Sequence, residues 1–372
     1  GSRTNWEAKV DIAAIALDDI LGLSPPESDP VDEKAPDSTD SVPDRSPVWA
    51  GHTGTLEFNL AKGTLGELTV RDLTANATLD DNLAKLTSLT GKVLGGTLAG
   101  DGNLAFNRTA PSGPYVLNST LSVANVDFAE IAALLPTMKG NAEGKANARI
   151  GVASYAPRVN QLIQHLAIDL AVDGKDGRIR MPRSADALNK KIGDVADVGI
   201  GIAALTAAFG KGRAAEQAAK VATQGTALRE IHKAASDYQY SRFEARAQRL
   251  ADGSIKVTRL ETTGVTLSLS AKGTITAEPG KEFSDWPIEA SAALRGSGTL
   301  GECFTSLGYD SGNPSADGQR QGPAFLASGS INNLQTNLLD ALRGAPANDP
   351  NPRGSPTTGT PGGGGLLDRL RR

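Results

Sequence analysis

The sequence predicts a mainly β protein, in which one long, curved antiparallel sheet forms a taco-like groove or half-barrel with short amphipathic helices and one inserted helical hairpin. Apolar and polar residues alternate with a period of two along most of the chain, which is typical of strands with one apolar face. Glycines, 42 in 372 residues, punctuate the alternating segments at turns or bulges. Hydrophobic residues make up 39% of the chain and aromatic residues only 4%, which suits a long sheet better than a compact enzyme core.

The charge and the metal-binding residue types argue against several classes of site. A net charge of −4 without a dense basic patch argues against nucleic-acid binding. The single cysteine, Cys303, excludes an intramolecular disulfide framework and a cysteine-rich metal site. His52, His165 and His232 lie far apart and share no metal-ligand spacing. We therefore predict no metal and no cofactor. In addition, no apolar run in the sequence reaches the roughly 18 residues that a membrane-spanning helix needs.

The first part of the chain divides into a strand and a linker. Residues 1–23 begin in alternation and finish in a short amphipathic turn, and we interpret them as the end of a preceding β unit. Residues 24–47 hold seven acidic residues and many prolines, which predicts a solvated linker or long loop. A β-groove domain is predicted to follow over residues 48–343.

The domain opens with a series of strands and one capped helix. Residues 52–106 alternate throughout, with glycines at the corners, and residues 115–126 form another clear strand. Asp127 is placed to cap the next helix, with Glu130 three residues later, and that helix is predicted to stop at Pro136. A glycine-rich strand, a short helix after Pro157 and further strands are expected up to residue 183.

Residues 184–236 differ from the alternating segments on both sides. Apolar residues recur there at steps of three and four, with a break at Gly210–Gly212, which predicts a helical hairpin inserted into the β chain. Two interpretations stay open. The hairpin packs against the sheet, or it serves as a membrane-surface or gating element.

Residues 238–277 predict a three-stranded meander with one apolar face. Asp252-Gly253 between two alternating runs is a strong hairpin signal, and Gly264 marks the next corner. A strand over 286–294, a loop over 304–321, a strand over 325–331 and a helix over 334–342 are expected to follow. Residues 344–372 are rich in Gly and Pro and predict a disordered tail.

No catalytic constellation stands out in the sequence, and the apolar face of the sheet is the candidate site. A sheet that alternates in this way must cover its apolar face, and the predicted helices are too few for about a dozen strands. Either the sheet closes on itself or it curls into a trough with an apolar lining. The candidate lining residues share the apolar phase of their strands. They are Leu68, Val70, Leu121, Val123, Ile255, Val257, Val265, Leu267 and Leu269.

Three segments resemble the AsmA-like family of bacterial envelope proteins. They are GELTVRDLTANATLDD with LTSLTGKVLGGTLAGDGNLAF, LSVANVDFAEIAALLP, and FEARAQRLADGSIKVTRLETTGVTLSLSAKGTITA, and the resemblance spans about residues 6–343. The resemblance implies a β-groove similar to that of repeating lipid-transfer proteins. It also implies a periplasmic location with an N-terminal anchor in the inner membrane, and no catalytic residues. The hairpin at 184–236 departs from the pattern of the family.

The hypothesis from the sequence is a non-enzymatic envelope protein. It binds or conducts the acyl chains of phospholipid, or of another envelope lipid, between the inner and outer membranes and so supports outer-membrane biogenesis. The alternative is a periplasmic structural or assembly factor that pairs its sheet edges with strands of outer-membrane assembly proteins.

Overall fold

Fourteen strands in one sheet make up most of the protein, with four α-helices and two 3₁₀ helices in the described residues. The computed structural model describes residues 4–16, 43–110, 113–134, 139–180, 213–250, 252–309, 314–330 and 333–342. The strands are β1 (Thr4–Ala16), β2 (His52–Leu65), β3 (Leu68–Asp80), β4 (Leu83–Val93), β5 (Gly96–Phe106), β6 (Tyr115–Asp127), β7 (Ala142–Ala156), β8 (Ala167–Arg180), β9 (Asp237–Arg249), β10 (Ile255–Gly264), β11 (Leu267–Ile275), β12 (Ile288–Ser297), β13 (Gln319–Gly329) and β14 (Leu334–Thr336). The helices are α1 (Phe128–Ala133), α2 (Arg213–Ser236), α3 (Thr299–Ser306) and α4 (Leu338–Leu342), and the 3₁₀ helices are Val159–His165 and Phe283–Asp285.

Each strand pairs with the next strand in the chain, from β1 at one edge to β14 at the other. The sheet is curved and does not close on itself, which confirms the predicted fold class. One pair departs from a wholly antiparallel sheet, because β1 runs parallel to β2 with Thr4 opposite His52. A parallel pair needs a long crossover rather than a tight turn. The predicted linker at 24–47 lies in this crossover, and most of it is outside the described residues.

Directly opposed residues of neighbouring strands point to the same face, so the pairing register divides the sheet into an apolar and a polar face. For example, Leu98 lies opposite Val123, and Leu121 lies opposite Ile150, all on the apolar face. The intervening residues, such as Ser122 opposite Arg149, form the polar face. The predicted one-sided alternation is therefore kept across strand after strand.

At several β-bulges, successive residues on the apolar face are three positions apart in the sequence instead of two. In β10 the register shifts after Val257, and Leu260 returns to the apolar face. In β3 the same step runs from Val70 to Leu73, across Asp72 at a φ of 51°. A bulge inserts one residue, so it restores the apolar phase after two consecutive polar residues.

The sheet has two long margins, where the strands turn. The helical margin carries the β2–β3, β4–β5 and β10–β11 turns together with α1, α2 and α3. The loop margin carries the β3–β4, β5–β6, β7–β8 and β11–β12 connections, both 3₁₀ helices and the segment 43–51.

Three clusters of buried apolar residues lie along these margins. Under α1, the first contains Val70, Val93, Val123 and Val126. A second cluster joins β11 and β12 to α2, α3 and α4. Its members include Leu228, Ile231, Leu267, Leu294, Phe304 and Leu342. At the loop margin, the third contains Trp49, Phe106, Tyr115, Ala156 and Leu162.

The structure confirms some of the helix predictions, and others lie outside the described residues. Asp127 caps α1 as predicted, because its side chain accepts a hydrogen bond from the N–H of Ala129 at 2.9 Å. The second arm of the predicted hairpin is the helix α2, whereas its first arm lies outside the described residues, as does the predicted tail at 344–372. Within the described part of the chain, none of the helices is long and apolar enough to cross a membrane.

The C-terminal part of the sheet corrects the sequence prediction in two places. The expected loop at 304–321 contains the end of α3 and the start of β13. Phe304 of α3 is fully buried, and its ring fits against Gly296 and Gly322, where an added Cβ would lie 2.8 Å and 2.7 Å from ring carbons. The expected helix at 334–342 divides into the short strand β14 and the helix α4.

Candidate functional site

The candidate site is the central band of the apolar face, between the clusters of the two margins. Its large side chains are half-buried. The fully buried clusters to which the helices contribute lie at the margins instead. They are Leu56, Phe58, Leu86, Leu89, Leu121, Ile150, Val152, Leu170, Val172, Val257 and Leu260.

Eight of the nine predicted lining residues lie on this face. Leu121, Ile255 and Val257 are half-buried on it, away from the margin clusters at the helices. The other five belong to the margin clusters that α1, α2 and α3 help to form, or pack against them. They are Leu68, Val70, Val123, Leu267 and Leu269. The sequence thus identified the face, but it did not separate the open band from the covered margins.

Val265 is the exception among the predicted lining residues. It lies in the tight turn between β10 and β11 and is 79% exposed. Val265 and Leu267 are two residues apart, so the alternation predicted that both lie on one face. However, β11 begins at Leu267, and Val265 precedes the strand. Beside Val265 is a hollow of about 360 Å³ that Glu143, Asp176 and Arg178 also line. Its lining combines these charged residues with Tyr240 and Val265, so it differs from the apolar band.

Glycines without side chains leave space on the apolar face beside Leu121. Gly100 lies opposite Leu121 in the neighbouring strand, and a Cβ at that position would come within 2.5 Å of the Leu121 Cδ2 atom. Gly102, the next residue of β5 on the same face, faces Ser119. The leucine side chain therefore extends over a position that any larger residue would fill.

Several polar side chains on the apolar face are hydrogen-bonded within the protein. Ser154 is buried and donates to the carbonyl oxygen of Leu162 at 2.7 Å. The hydroxyls of Tyr238 and Thr262 are 2.7 Å apart, and Arg249 donates to the carbonyl oxygen of Leu166 at 2.7 Å. Polar groups that are satisfied in this way leave the face apolar toward a ligand.

The polar face carries ion pairs across and along its strands. Lys9 bonds Glu57 at 2.7 Å between β1 and β2, and Arg259 bonds Glu261 at 2.6 Å. Arg242 bonds Glu244, and this hydrogen bond lowers the pKa of the glutamate carboxyl. Exposed ion pairs add little stability, but they keep this face solvated. An apolar ligand therefore has one face available to it and not the other.

Aromatic residues fill the helical margin between α1 and β9. The ring centroid of Phe128 lies 6.2 Å from that of Tyr240 and 5.3 Å from that of Phe243, both edge to face. Tyr240 is buried against Gly144 and Gly177, and this burial raises its pKa to about 12. These contacts close the helical margin at β7 to β9.

The loop margin is closed by a segment that the sequence assigned only to a linker and the start of the domain. Trp49 donates its Nε1–H to the carbonyl oxygen of Asp80 at 3.0 Å and packs edge to face on Tyr115. The Tyr115 hydroxyl accepts from the N–H of Val48 and donates to Asp44. Burial, and then the Asp44 carboxylate, raise the pKa of Tyr115 to about 12. An isolated tryptophan just before β2 was the available signal.

The dimensions of the band fit an acyl chain. Tyr115 and Val123 mark the two margins on β6, eight residues apart, which is about 26 Å at ~3.3 Å per residue. The acyl chains of one membrane leaflet span about 15 Å, half of a ~30 Å hydrocarbon core. Across the strands from β2 to β10, eight spacings of ~4.8 Å give a band about 38 Å long.

Comparisons with known proteins do not identify the chain. No protein-family model, no curated protein and no solved structure matches it. The resemblance to the AsmA-like family therefore stays a prediction that rests on the sequence segments quoted above.

Proposed function

We propose that the protein binds or conducts lipid acyl chains, without catalysis, along the central band of its apolar face. The observation that carries the proposal is the half-buried apolar band, which continues across neighbouring strands from β2 to β10. Burial of each CH₂ group of a chain gains about 0.8 kcal/mol, so the band can hold lipid without a specific polar contact. The paired polar groups on this face and the width of about 26 Å on β6 support the same ligand class.

The resemblance to the AsmA-like family adds the cellular setting to this proposal. In that setting the protein acts in the periplasm of a Gram-negative bacterium and is attached to the inner membrane through an N-terminal anchor. Its ligand is phospholipid or another envelope lipid, which moves between the inner and outer membranes in support of outer-membrane biogenesis.

Leu121→Asp, with Ser122→Asp as its matched control, tests the proposal. Leu121 lies in the band, whereas Ser122 is the next residue on the polar face and faces Arg149. The carboxylate at 121 is solvated as long as no lipid is bound, so the fold should persist while lipid binding is lost. Native mass spectrometry of the purified protein and uptake of a fluorescent phospholipid measure this. Absence of lipid in the wild type, or equal uptake by both variants, would contradict the proposal.

A second candidate function rests on the outer edge of β1. This strand has 13 residues without proline and pairs with β2 on one side, and no described strand pairs with its other side. A long edge of this kind can take up a strand from a partner, which fits an assembly factor for outer-membrane proteins. Crosslinking from Lys9 that captures a strand of an assembly protein, in a chain that takes up no lipid, would favour this function.

A further inference from the structure

The apolar face continues from the central band to β1, at the outer edge of the sheet. Ala8 lies opposite Leu56 and Val10 lies opposite Phe58, two residues of the band. Val10 is nevertheless 38% exposed, and no residue of β1 belongs to the three buried clusters of the described part of the chain. The apolar face therefore extends to an edge on which no described strand lies.

The same edge presents unpaired backbone groups. Thr4 donates its N–H to the carbonyl oxygen of Gly51 at 3.0 Å, on the side of β2. Successive residues of a strand direct their backbone N–H and C=O groups to opposite sides, so the alternate residues point away from β2. These residues are Asn5, Glu7, Lys9 and Asp11. The segment Thr4–Ile12 pairs with β2 without interruption and contains no proline, so it can accept another strand along its length.

A second copy of the chain can meet this edge with both apolar faces on one side only when the two β1 strands are antiparallel. A two-fold axis perpendicular to the sheet then relates the copies, and the interface is isologous. A parallel pair of β1 strands needs a two-fold axis along the strands instead. That axis places the apolar face of one copy beside the polar face of the other.

The polar face of the segment is complementary to itself in the antiparallel register that is centred on Ala8. Glu7 of each copy then lies opposite Lys9 of the other, so this pair of opposite charges occurs twice. Asn5 of each copy lies opposite Asp11 of the other, as an amide donor opposite a carboxylate acceptor. The same register therefore matches all four residues whose backbone groups point outward.

The charges already present at this edge leave Glu7 available for such a pair. Between residues 4–12 and their partners 52–60, the charged side chains are three carboxylates and one lysine: Glu7, Asp11, Glu57 and Lys9. Lys9 bonds Glu57 at 2.7 Å, and Asp11 accepts a hydrogen bond from Asn59 at 2.9 Å. Glu7 has no ion pair with a described residue. Lys9 of a second copy supplies that cation, and its three N–H donors allow it to bind both glutamates.

The apolar face is matched in the same register. Trp6 of each copy lies opposite Val10 of the other, which is an aromatic and β-branched pair of the kind that stabilises neighbouring strands. The two Ala8 residues lie opposite each other at the two-fold axis, where the strands approach most closely and small side chains fit. The exposed side of Val10 is thereby covered.

Other antiparallel registers are less favourable. A centre at Lys9 places the two lysines opposite each other and Glu7 opposite Asp11, and a centre at Glu7 places the two glutamates opposite each other. A centre two residues to either side of Ala8 pairs only about half of Thr4–Ile12, the segment that pairs with β2 without interruption. The register centred on Ala8 combines the longest pairing with opposite charges.

We propose that the outer edge of β1 binds the same edge of a second copy, so that the sheet and its apolar face continue through a two-fold symmetric dimer. About eight backbone hydrogen bonds join the copies, two for each of the four outward-pointing residue pairs. The pairing does not require lipid. It occupies the edge that the second candidate function assigns to a partner strand, so the two assignments exclude each other.

Sedimentation equilibrium of the full chain tests the dimer. Glu7→Lys places lysines opposite each other at both symmetric positions, and Lys9→Glu places glutamates there, so each variant should weaken the dimer at least ~tenfold. An equal mixture of the two variants pairs Lys with Glu at both positions and should recover the dimer. Glu67→Lys, an identical change in the exposed turn between β2 and β3, should dimerise as the wild type does.

A disulfide tests the register. In Ala8→Cys the two cysteines lie opposite each other with Cα atoms ~4.5 Å apart, which is within the range of a disulfide, so oxidation should link the copies. Val10→Cys lies opposite Trp6 and should not be linked. The wild type, whose only cysteine is the buried Cys303, should give no linked dimer.

The possible results separate this proposal from the others. A wild type that stays monomeric at every concentration overturns the dimer, and so does a dimer that is insensitive to Glu7→Lys. Equal linking of Ala8→Cys and Val10→Cys overturns the register. A monomer that crosslinks from Lys9 to an assembly protein assigns the edge to the second candidate function instead. Leu121→Asp should still dimerise, so a dimer that takes up no lipid contradicts the acyl-chain proposal alone, and a monomer that takes up lipid contradicts the dimer alone.

Discussion

The ring of Tyr240 lies directly over Gly177, so that a Cβ at position 177 would overlap its hydroxyl and Cζ atoms. The two residues are opposed across β8 and β9, next to Asp176, where the pairing of β8 with β7 contains a bulge. Gly144 of β7 borders the same ring, and Phe128 of α1 packs against its edge. The closure of the helical margin at β7 to β9 therefore depends on the absence of a side chain at Gly177, and not on an unusual backbone conformation of this residue.

Gly177→Ala should destabilise the protein by about 1–3 kcal/mol, because the new methyl group must displace a buried ring. Gly151→Ala is the matched control. It lies in β7, where an added Cβ meets only Asp169 Cβ at 3.8 Å, and it should change stability by less than about 0.5 kcal/mol. Urea denaturation measures both variants. Equal stability of the two variants would show that the ring moves aside without cost.

Leu267→Asp and Leu121→Asp should differ in their effect on folding. Leu267 is 4% exposed in the cluster with Leu294 and Phe304, where a carboxylate is desolvated without a partner, so this variant should unfold. Leu121 lies in the open band, and its variant should keep a cooperative transition. Circular dichroism during thermal unfolding compares the two. A native-like Leu267→Asp protein would contradict the assignment of the covered margin.

Alkaline pH should weaken the fold through Tyr115 and Tyr240, whose pKa values are each raised to about 12. An unfolded tyrosine has a pKa of about 10, so the folded state favours the neutral form. Their contribution to stability is complete below pH ~10 and is lost as the pH rises toward 12.

Absorbance at 295 nm should show three of the five tyrosines ionising late, because burial raises the pKa of Tyr238 as well, and urea midpoints should fall between pH 9 and 11. Tyr115→Phe removes one of these groups. It loses the bonds to Val48 and Asp44 at every pH but should flatten the dependence on pH. An unchanged slope in Tyr115→Phe, or ionisation of all five tyrosines near pH 10, would contradict this assignment.

Asp127→Ala should cost about 1 kcal/mol of stability, because the N–H of Ala129 loses its acceptor at the start of α1. Asp127→Asn keeps a capping oxygen and should lose only a few tenths of that. Since α1 covers Val123 and Val126 through Ile131, hydrogen exchange of β6 near Val126 should rise in the alanine variant alone. Equal exchange in both variants would mean that the cap does not hold the helix on the sheet.

Much of the strand pattern could be read from the sequence, because alternation is a local property. Leu121 and Val123 were assigned to one face, and their pairing with Gly100 and Leu98 keeps them there. The cap at Asp127 was found for the same reason, since it depends on residues two or three positions apart. The step of three from Val257 to Leu260 was not predicted, and it corresponds to a bulge.

Other features depend on partners far away in the chain. Phe304 was assigned to a loop because α3 has few residues, yet it is fully buried between Gly296 and Gly322. Trp49 closes the loop margin through Asp80 and Tyr115, contacts that span 31 and 66 positions of the chain. The parallel pairing of β1 with β2 was missed too, because alternation does not encode strand direction.

The sequence by itself determined that this protein is a sheet with one apolar and one polar face, because a period of two fixes which side chains share a face. Only the tertiary structure decided which part of the apolar face is open. Leu121 and Leu267 have the same local pattern, but α2 and α3 help to bury Leu267, while Leu121 extends over Gly100 in the half-buried band. The difference arises because helices distant in sequence cover the margins of the sheet, and no local pattern records where they pack.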